Sequence, residues 1–220
     1  MMKIYRVINV YYMPLVIWYI IYFLPINKQL KSPDEKSLMF IERNLFGNPC
    51  FEYIDTVNNI FFTIASGILY LFHYVSPIIH LYYLHKNGSY KLIKKYVKML
   101  GYGNLVSLLI HILSPTAPPW VVENRYYDKY WYPEARLEDF DNFFGIKLFH
   151  SIYKHNPMKY ASFPSLHVLW ITNMMFIMFN KYTLTHSVLI WISTIYLHHH
   201  FIIDGIMSLI ISSFCFIFIK

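Results

Sequence analysis

Long apolar runs separated by polar segments dominate the chain. An α-helix needs about 20 apolar residues to cross a hydrocarbon layer of about 30 Å. The pattern predicts helices over about Tyr5–Leu24, Ile60–Leu84, Tyr96–Leu113, Pro164–Phe179, Leu184–Leu197 and Phe201–Ile219, the fourth and fifth being short. The first carries only Arg6 and Pro14 as interruptions and runs into Pro25, Ile26 and Asn27 rather than a small-residue cleavage site. It reads as a retained anchor. The expected fold is all-α, a polytopic bundle of about six transmembrane helices. Residues 1–37 form an N-terminal anchor and the start of a loop, and residues 38–220 a membrane-embedded domain.

Composition agrees with this pattern. Of 220 residues, 56% are hydrophobic, 20% aromatic and only 14% charged, whereas soluble domains carry roughly a quarter charged residues. The net charge of +7 would suggest nucleic acid if the basic residues formed one solvated face of a soluble core. Their distribution points elsewhere. With six crossings, one side of the membrane collects Lys3, Arg6, Lys86, Lys91, Lys94, Lys95, Lys98, Lys181 and Lys220 with no acidic residue. The other side holds the remaining basic residues and every acidic one. The positive-inside rule then places both termini and the basic side in the cytoplasm, with no nucleic-acid partner. Cys50 and Cys215 fall at different depths and are not expected to pair, and no zinc-type cysteine spacing exists.

Three polar segments meet at the opposite, lumenal face: Ser114 to Trp120, Ser162 to His167, and His198 to Asp204. An Asp opening an apolar helix is a functional candidate by default. His200 and Asp204 are four residues apart, which on a helix stacks them on one face. The carboxylate would fix the imidazole tautomer and leave the other nitrogen basic. His167 falls in the first turn of the fourth predicted helix, after Pro164 in a helix-starting position. Free N–H groups there and the Ser165 hydroxyl suit a phosphate. Two histidines flanking an anion describe phosphoryl transfer, with His200 attacking phosphorus, Asp204 holding it and His167 protonating the leaving oxygen. Consecutive helical side chains point about 100° apart, so His198, His199 and His200 are not expected to converge on a metal.

These residues resemble a known family. Pro164-Ser165-Leu166-His167 is similar to the second signature of the type 2 phosphatidic acid phosphatase superfamily, and His200 to Asp204 to its third, His-x-x-x-Asp. Pro115 to Trp120, Phe163 to His167 and the doubled His199-His200 resemble its inositol phosphorylceramide synthase branch, as do Leu45 to Pro49 and Tyr74 to Pro77. The resemblance implies the helical fold of that superfamily and catalytic roles for His167, His200 and Asp204. It also implies transfer of phosphoinositol from phosphatidylinositol to ceramide without a cofactor, in the Golgi or another endomembrane. A small regulatory subunit stays open as a partner. The chain departs from the phosphatases at two places: Ala117-Pro118 stands where Arg-Pro would, and Ser193-Thr194 where Ser-Arg would. Two phosphate-binding arginines are therefore absent, which favours the synthase branch.

What neutralises the phosphate is left among Arg125, Lys129, Lys159 and a protonated His199. Ser165, His199, Pro118, Trp120 and Arg125 are the candidate substrate-binding residues, and Trp120 or Trp131 could stack on a headgroup. His73, His80 and His186 read as packed or interfacial side chains, and His111 as a neighbour of the site at most. The charges from Glu123 to Asp141 read as a solvated face, and Tyr126 to Tyr132 as an interfacial aromatic belt. Two other readings remain: a lipid phosphate phosphatase, in which water accepts the phosphoryl group, and a non-catalytic membrane scaffold.

Overall fold

A computed structural model describes the backbone of residues 2–24, 30–55, 57, 59–126, 135–158 and 160–220, and within these all side chains except 2–10, 50, 51, 55 and 123–126. Among the described residues the chain is helical: α1 (Met2–Phe23), α2 (Ser37–Phe46), α3 (Cys50–Asp55), α4 (Ile60–Lys86), α5 (Tyr90–Leu113), α6 (Pro119–Tyr126), α7 (Leu137–Phe144), α8 (Leu148–Lys154), α9 (Leu166–Ile177), α10 (Lys181–Tyr196) and α11 (Ile202–Phe218). The apolar runs became α1, α4, α5, α9, α10 and α11. Local chemistry sets their ends. Asn59 accepts from the Phe61 N–H at 2.8 Å to open α4, and Asn180 accepts from Tyr182 and Thr183 to open α10, as short polar side chains do at N-caps. Gly88, at a positive φ of 67°, turns the chain from α4 into α5.

Helix α9 is the hub, packed against α4, α5, α10 and α11. Leu169 and Ile171 of α9 are fully buried, and Ile171, Met174 and Ile177 join Tyr96, Met99 and Ile190 in one apolar cluster. α1 lies along α5. Their crossing is close because Gly101 has no side chain: a Cβ there would stand 2.7 Å from the Leu15 nitrogen. At the far end of these helices the basic residues gather. Lys94 and Lys98 sit over the Tyr11 ring, Lys95 over Phe216, and Lys98 donates to the Lys220 carbonyl.

Among the described residues two helices, α4 with 27 residues and α5 with 24, are long and apolar enough to cross a membrane. α9 has 12 residues, a rise of about 18 Å, which falls short of a hydrocarbon core by itself.

The polar connections carry short helices that the apolar pattern did not announce. One correction concerns the segment ending at Asp141, read above as a solvated face. Within it Leu137 and Phe140 are buried against Tyr70 and Phe149, and Asp141 is buried too. Its carboxylate accepts from the Phe149 and His150 N–H groups at 3.2 and 3.0 Å and so caps α8. The expected aromatic belt at 127–132 lies outside the described residues.

Candidate active site

Backbone hydrogen bonds join the three polar segments into one platform. Thr116 pairs on one side with Asp34 and on the other with Ala161 as isolated bridges. The Trp120 N–H donates to the His198 carbonyl at 3.1 Å, and the Phe163 N–H donates to the Thr116 hydroxyl at 3.0 Å. The start of α9 is tied to α11 through Ser165 N–H to the Asp204 carbonyl and Ser208 Oγ to the Ser165 carbonyl.

The third segment reaches the site by a reverse turn. α10 ends at Tyr196; His198 N–H then donates to Ile195 O and His199 N–H to Thr194 O, while His198 takes φ of 62°. This is the Schellman arrangement that normally places Gly in the left-handed position. His200 therefore lies in a bend before α11, not on a helix with Asp204 as the four-residue spacing suggested. The same bend also replaces the helical geometry assumed for the triple-histidine run. His200 meets Asp204 because Asp204 stands in the first turn of α11 and folds back: Oδ2 accepts from the Phe201 N–H at 2.9 Å, from His200 Nδ1 at 3.1 Å and from Ser162 Oγ at 2.5 Å.

These contacts decide the tautomer. His200 Nδ1 also stands 3.0 Å from the Ser162 carbonyl, which can only accept, so Nδ1 carries the hydrogen and Nε2 the lone pair. Nε2 lies 3.0 Å from His167 Nδ1, which must then donate. A nucleophilic nitrogen and an acidic N–H thus face each other across one hydrogen bond, with the supporting carboxylate fully buried behind them.

Both histidines open on a cavity of about 670 Å³, within the range of small-molecule sites. His199, Pro118 and Trp120 line it as well, so five of the sequence-predicted residues share one wall system. Ser165 does not line it. Its side chain is fully buried and its Oγ accepts from the Val168 N–H at 3.4 Å, so it serves as the N-cap of α9. Pro164 precedes that cap rather than occupying the first helical position. Arg125 lies in α6, but its side chain, like Lys129 and Lys159, falls outside the described residues.

Sequence reasoning missed other parts of the site. His73, read as a packed side chain, lines the cavity with its ring centroid 4.3 Å from that of His167. Its Nδ1 hydrogen-bonds the Tyr70 carbonyl within α4. Tyr70 lies 4.4 Å from the His167 ring, and its hydroxyl hydrogen-bonds that of Tyr153, which stacks on His199 at 4.9 Å and 8°. His111 does border the site, its Nε2 3.0 Å from the Pro164 carbonyl. Glu42 of α2 is wholly buried and accepts from the Ile202 and Ile203 N–H groups at the start of α11, where a carboxylate complements the helix dipole. The i to i+3 and i+4 run of Tyr70, His73 and Tyr74 on α4 was the available signal for a polar stripe. Nothing local marks Glu42.

A sequence profile described as PAP2 superfamily matches residues 36–218. The chain belongs to the PAP2 superfamily. Among curated proteins, this PAP2 member is 28% identical over 202 residues to a phosphoinositol dihydroceramide synthase of Bacteroides thetaiotaomicron, covering 83% of this chain and 66% of the relative. It is 25% identical to an inositol phosphorylceramide synthase of Candida albicans, covering 94% of this chain and 47% of the relative. It is 26% identical to the inositol phosphorylceramide synthase catalytic subunit of Saccharomyces cerevisiae, covering 94% and 55%. The chain thus spans about half to two thirds of the length of these relatives. No solved structure gives a significant match. Among the described residues, no Lys or Arg lines the cavity of this PAP2 chain. Its titratable lining is histidine and tyrosine.

Proposed function

We propose that this protein is a membrane-embedded lipid phosphotransferase that moves phosphoinositol from phosphatidylinositol to ceramide through a phosphohistidine, releasing diacylglycerol. The observation that carries the chemistry is the 3.0 Å contact between His200 Nε2 and His167 Nδ1, with His200 Nδ1 held by Asp204 and the Ser162 carbonyl. The choice of lipids is supported by the names of the relatives. The apolar runs and the basic end of the bundle support six crossings with the site at the lumenal surface.

In the first half-reaction the phosphate diester enters between the two imidazoles. The His200 Nε2 lone pair forms a bond to phosphorus, the bond from phosphorus to the diacylglycerol oxygen breaks, and His167, which takes up a second proton from solvent as the anionic diester enters, gives that oxygen a proton. Asp204 stabilises the charge that develops on the His200 ring. In the second half, the ceramide hydroxyl gives its proton to His167 as its oxygen bonds phosphorus. The P–N bond breaks and the electron pair returns to His200 Nε2. The largely aromatic and apolar lining disfavours water and so favours the lipid hydroxyl as acceptor.

The test uses membranes containing wild type or His200→Ala, supplied with labelled ceramide and phosphatidylinositol, and separately with phosphatidic acid. Labelled inositol phosphorylceramide that vanishes in the variant is the expected result. Phosphate released from phosphatidic acid without ceramide product would instead establish a phosphatase. No turnover of either lipid by well-folded wild type would sink both enzyme readings.

A further inference from the structure

The cavity has a second polar wall that the transfer chemistry leaves unused. α1 ends there with Tyr22, and the turn after α8 brings Asn156 beside it. Tyr22 Oη donates to Asn156 Oδ1 at 3.2 Å, and the same Oδ1 accepts from the Met158 N–H at 3.0 Å. A backbone N–H can only donate, so the atom facing it is the amide oxygen and the orientation of Asn156 is settled. Its NH2 is left as a donor at the cavity wall. Because the Tyr22 proton is spent on Asn156, the Tyr22 oxygen is left as an acceptor. Donor and acceptor therefore stand side by side, the complement of two neighbouring hydroxyls, each of which both gives and takes a hydrogen bond.

The wall is also held in place. The Asn156 N–H closes the end of α8 on the Tyr153 carbonyl at 3.1 Å, and Phe149 of α8 is fully buried. Asp141 caps the other end of that helix. Charge narrows the ligand. Among the described residues no carboxylate lines the cavity, so an ammonium headgroup finds no ion-pair partner there, whereas the Tyr22–Asn156 pair suits an uncharged polyol.

Resting on the phosphotransferase reading above, we propose that Asn156 and Tyr22 form the subsite for vicinal hydroxyls of the donor headgroup and set its preference for a cyclic polyol over a cationic group. Quaternary ammonium is the competing ligand chemistry, because aromatic faces such as Trp18 and Trp170 can hold it by cation–π attraction.

The experiment measures kcat and KM of the full chain in membranes with labelled ceramide, using phosphatidylinositol and phosphatidylcholine of identical acyl chains as donors. Wild type is compared with Asn156→Asp, Tyr22→Phe and His200→Ala. Asn156→Asp keeps the oxygen that binds Tyr22 and Met158 but loses the NH2 donor, and Tyr22→Phe removes the acceptor while keeping the ring. Each is expected to raise KM for phosphatidylinositol about tenfold, as one lost hydrogen bond does. kcat should hold within about threefold and KM for ceramide should be unchanged. Wild type should transfer from phosphatidylinositol in preference to phosphatidylcholine, and the preference should shrink in both variants. Unchanged KM and donor preference in both variants, a fall in kcat alone, or preference of wild type for phosphatidylcholine would each overturn the assignment while leaving the transfer reaction intact. Wild type as inactive as His200→Ala would overturn the reaction and the subsite together.

Discussion

At the scale of single residues, the site depends on which nitrogen carries a proton. Asp204 Oδ2 collects three donors, from Ser162 Oγ, the Phe201 N–H and His200 Nδ1. Asp204→Asn keeps the shape but replaces the anion, leaving a developing imidazolium unsupported. We expect kcat to fall by roughly 10³ to 10⁴ with little change in KM, by analogy with the loss of the orienting carboxylate in catalytic triads; steady-state assay of ceramide transfer measures it. Ser162→Ala removes one of the three donors but keeps the carbonyl that holds Nδ1. Its loss should be smaller, about tenfold in kcat or about 1.4 kcal/mol, near the low end for a hydrogen bond to a charged group. Equal losses in the two variants would show that Asp204 acts chiefly as a packing group. The histidine pair and its Asp were legible as residues, since they carry the motif. That Asp204 would fix the His200 tautomer was legible too, but which nitrogen it holds was not, because the Ser162 carbonyl that shares Nδ1 is 38 positions from His200 and no local pattern announces which carbonyl will lie behind an imidazole.

The elements aim these residues, and two contacts hold the start of α11. Glu42 accepts from two N–H groups in the first turn of α11. Glu42→Ala leaves buried donors unsatisfied and should destabilise the fold by about 1–3 kcal/mol. Glu42→Gln retains an acceptor and should recover most of that loss; thermal unfolding of both in detergent measures the difference. On the other face of the same turn, Gly205 lets Trp191 of α10 approach, and an added Cβ would stand 2.1 Å from Trp191 Nε1. Gly205→Ala should therefore displace α11 from α10 and reduce transfer activity along with stability, by about 1–3 kcal/mol. Pairing it with Trp191→Leu should restore part of both, which a double-mutant cycle would register as coupling. The order and approximate bounds of the long helices followed from apolar run length. The bend at His198 did not, because the residue normally found in that left-handed position is Gly, and here a chain of three histidines hides the turn.

For the whole molecule, the proposed six crossings predict that the α4–α5 turn and the α7–α8 turn lie on opposite sides of the membrane. Gly88 and Gly145 occupy these turns with open space around each. Epitopes inserted after Gly88 should be digested by protease added to the cytoplasmic face of sealed vesicles, and those after Gly145 only after the membrane is opened. Protection of both alike would refute the six-crossing arrangement and detach the basic cluster from the cytoplasm. Apolar periodicity, the one-sided distribution of Lys and Arg and three short motifs determined by themselves that this is a helical chain with His167, His200 and Asp204 brought to one end. Those properties are local or additive along the sequence, so they survive without knowledge of the chain path. Only the tertiary structure decided that Ser165 caps a helix instead of facing the cavity, and that His73 and Tyr70 flank His167. It alone decided that Asp141 is buried and that Tyr22 meets Asn156 across 134 positions. A hydrogen bond between distant side chains depends on how α9 and α11 pack and where each loop returns, and neither distance is written in the spacing of residues along one element.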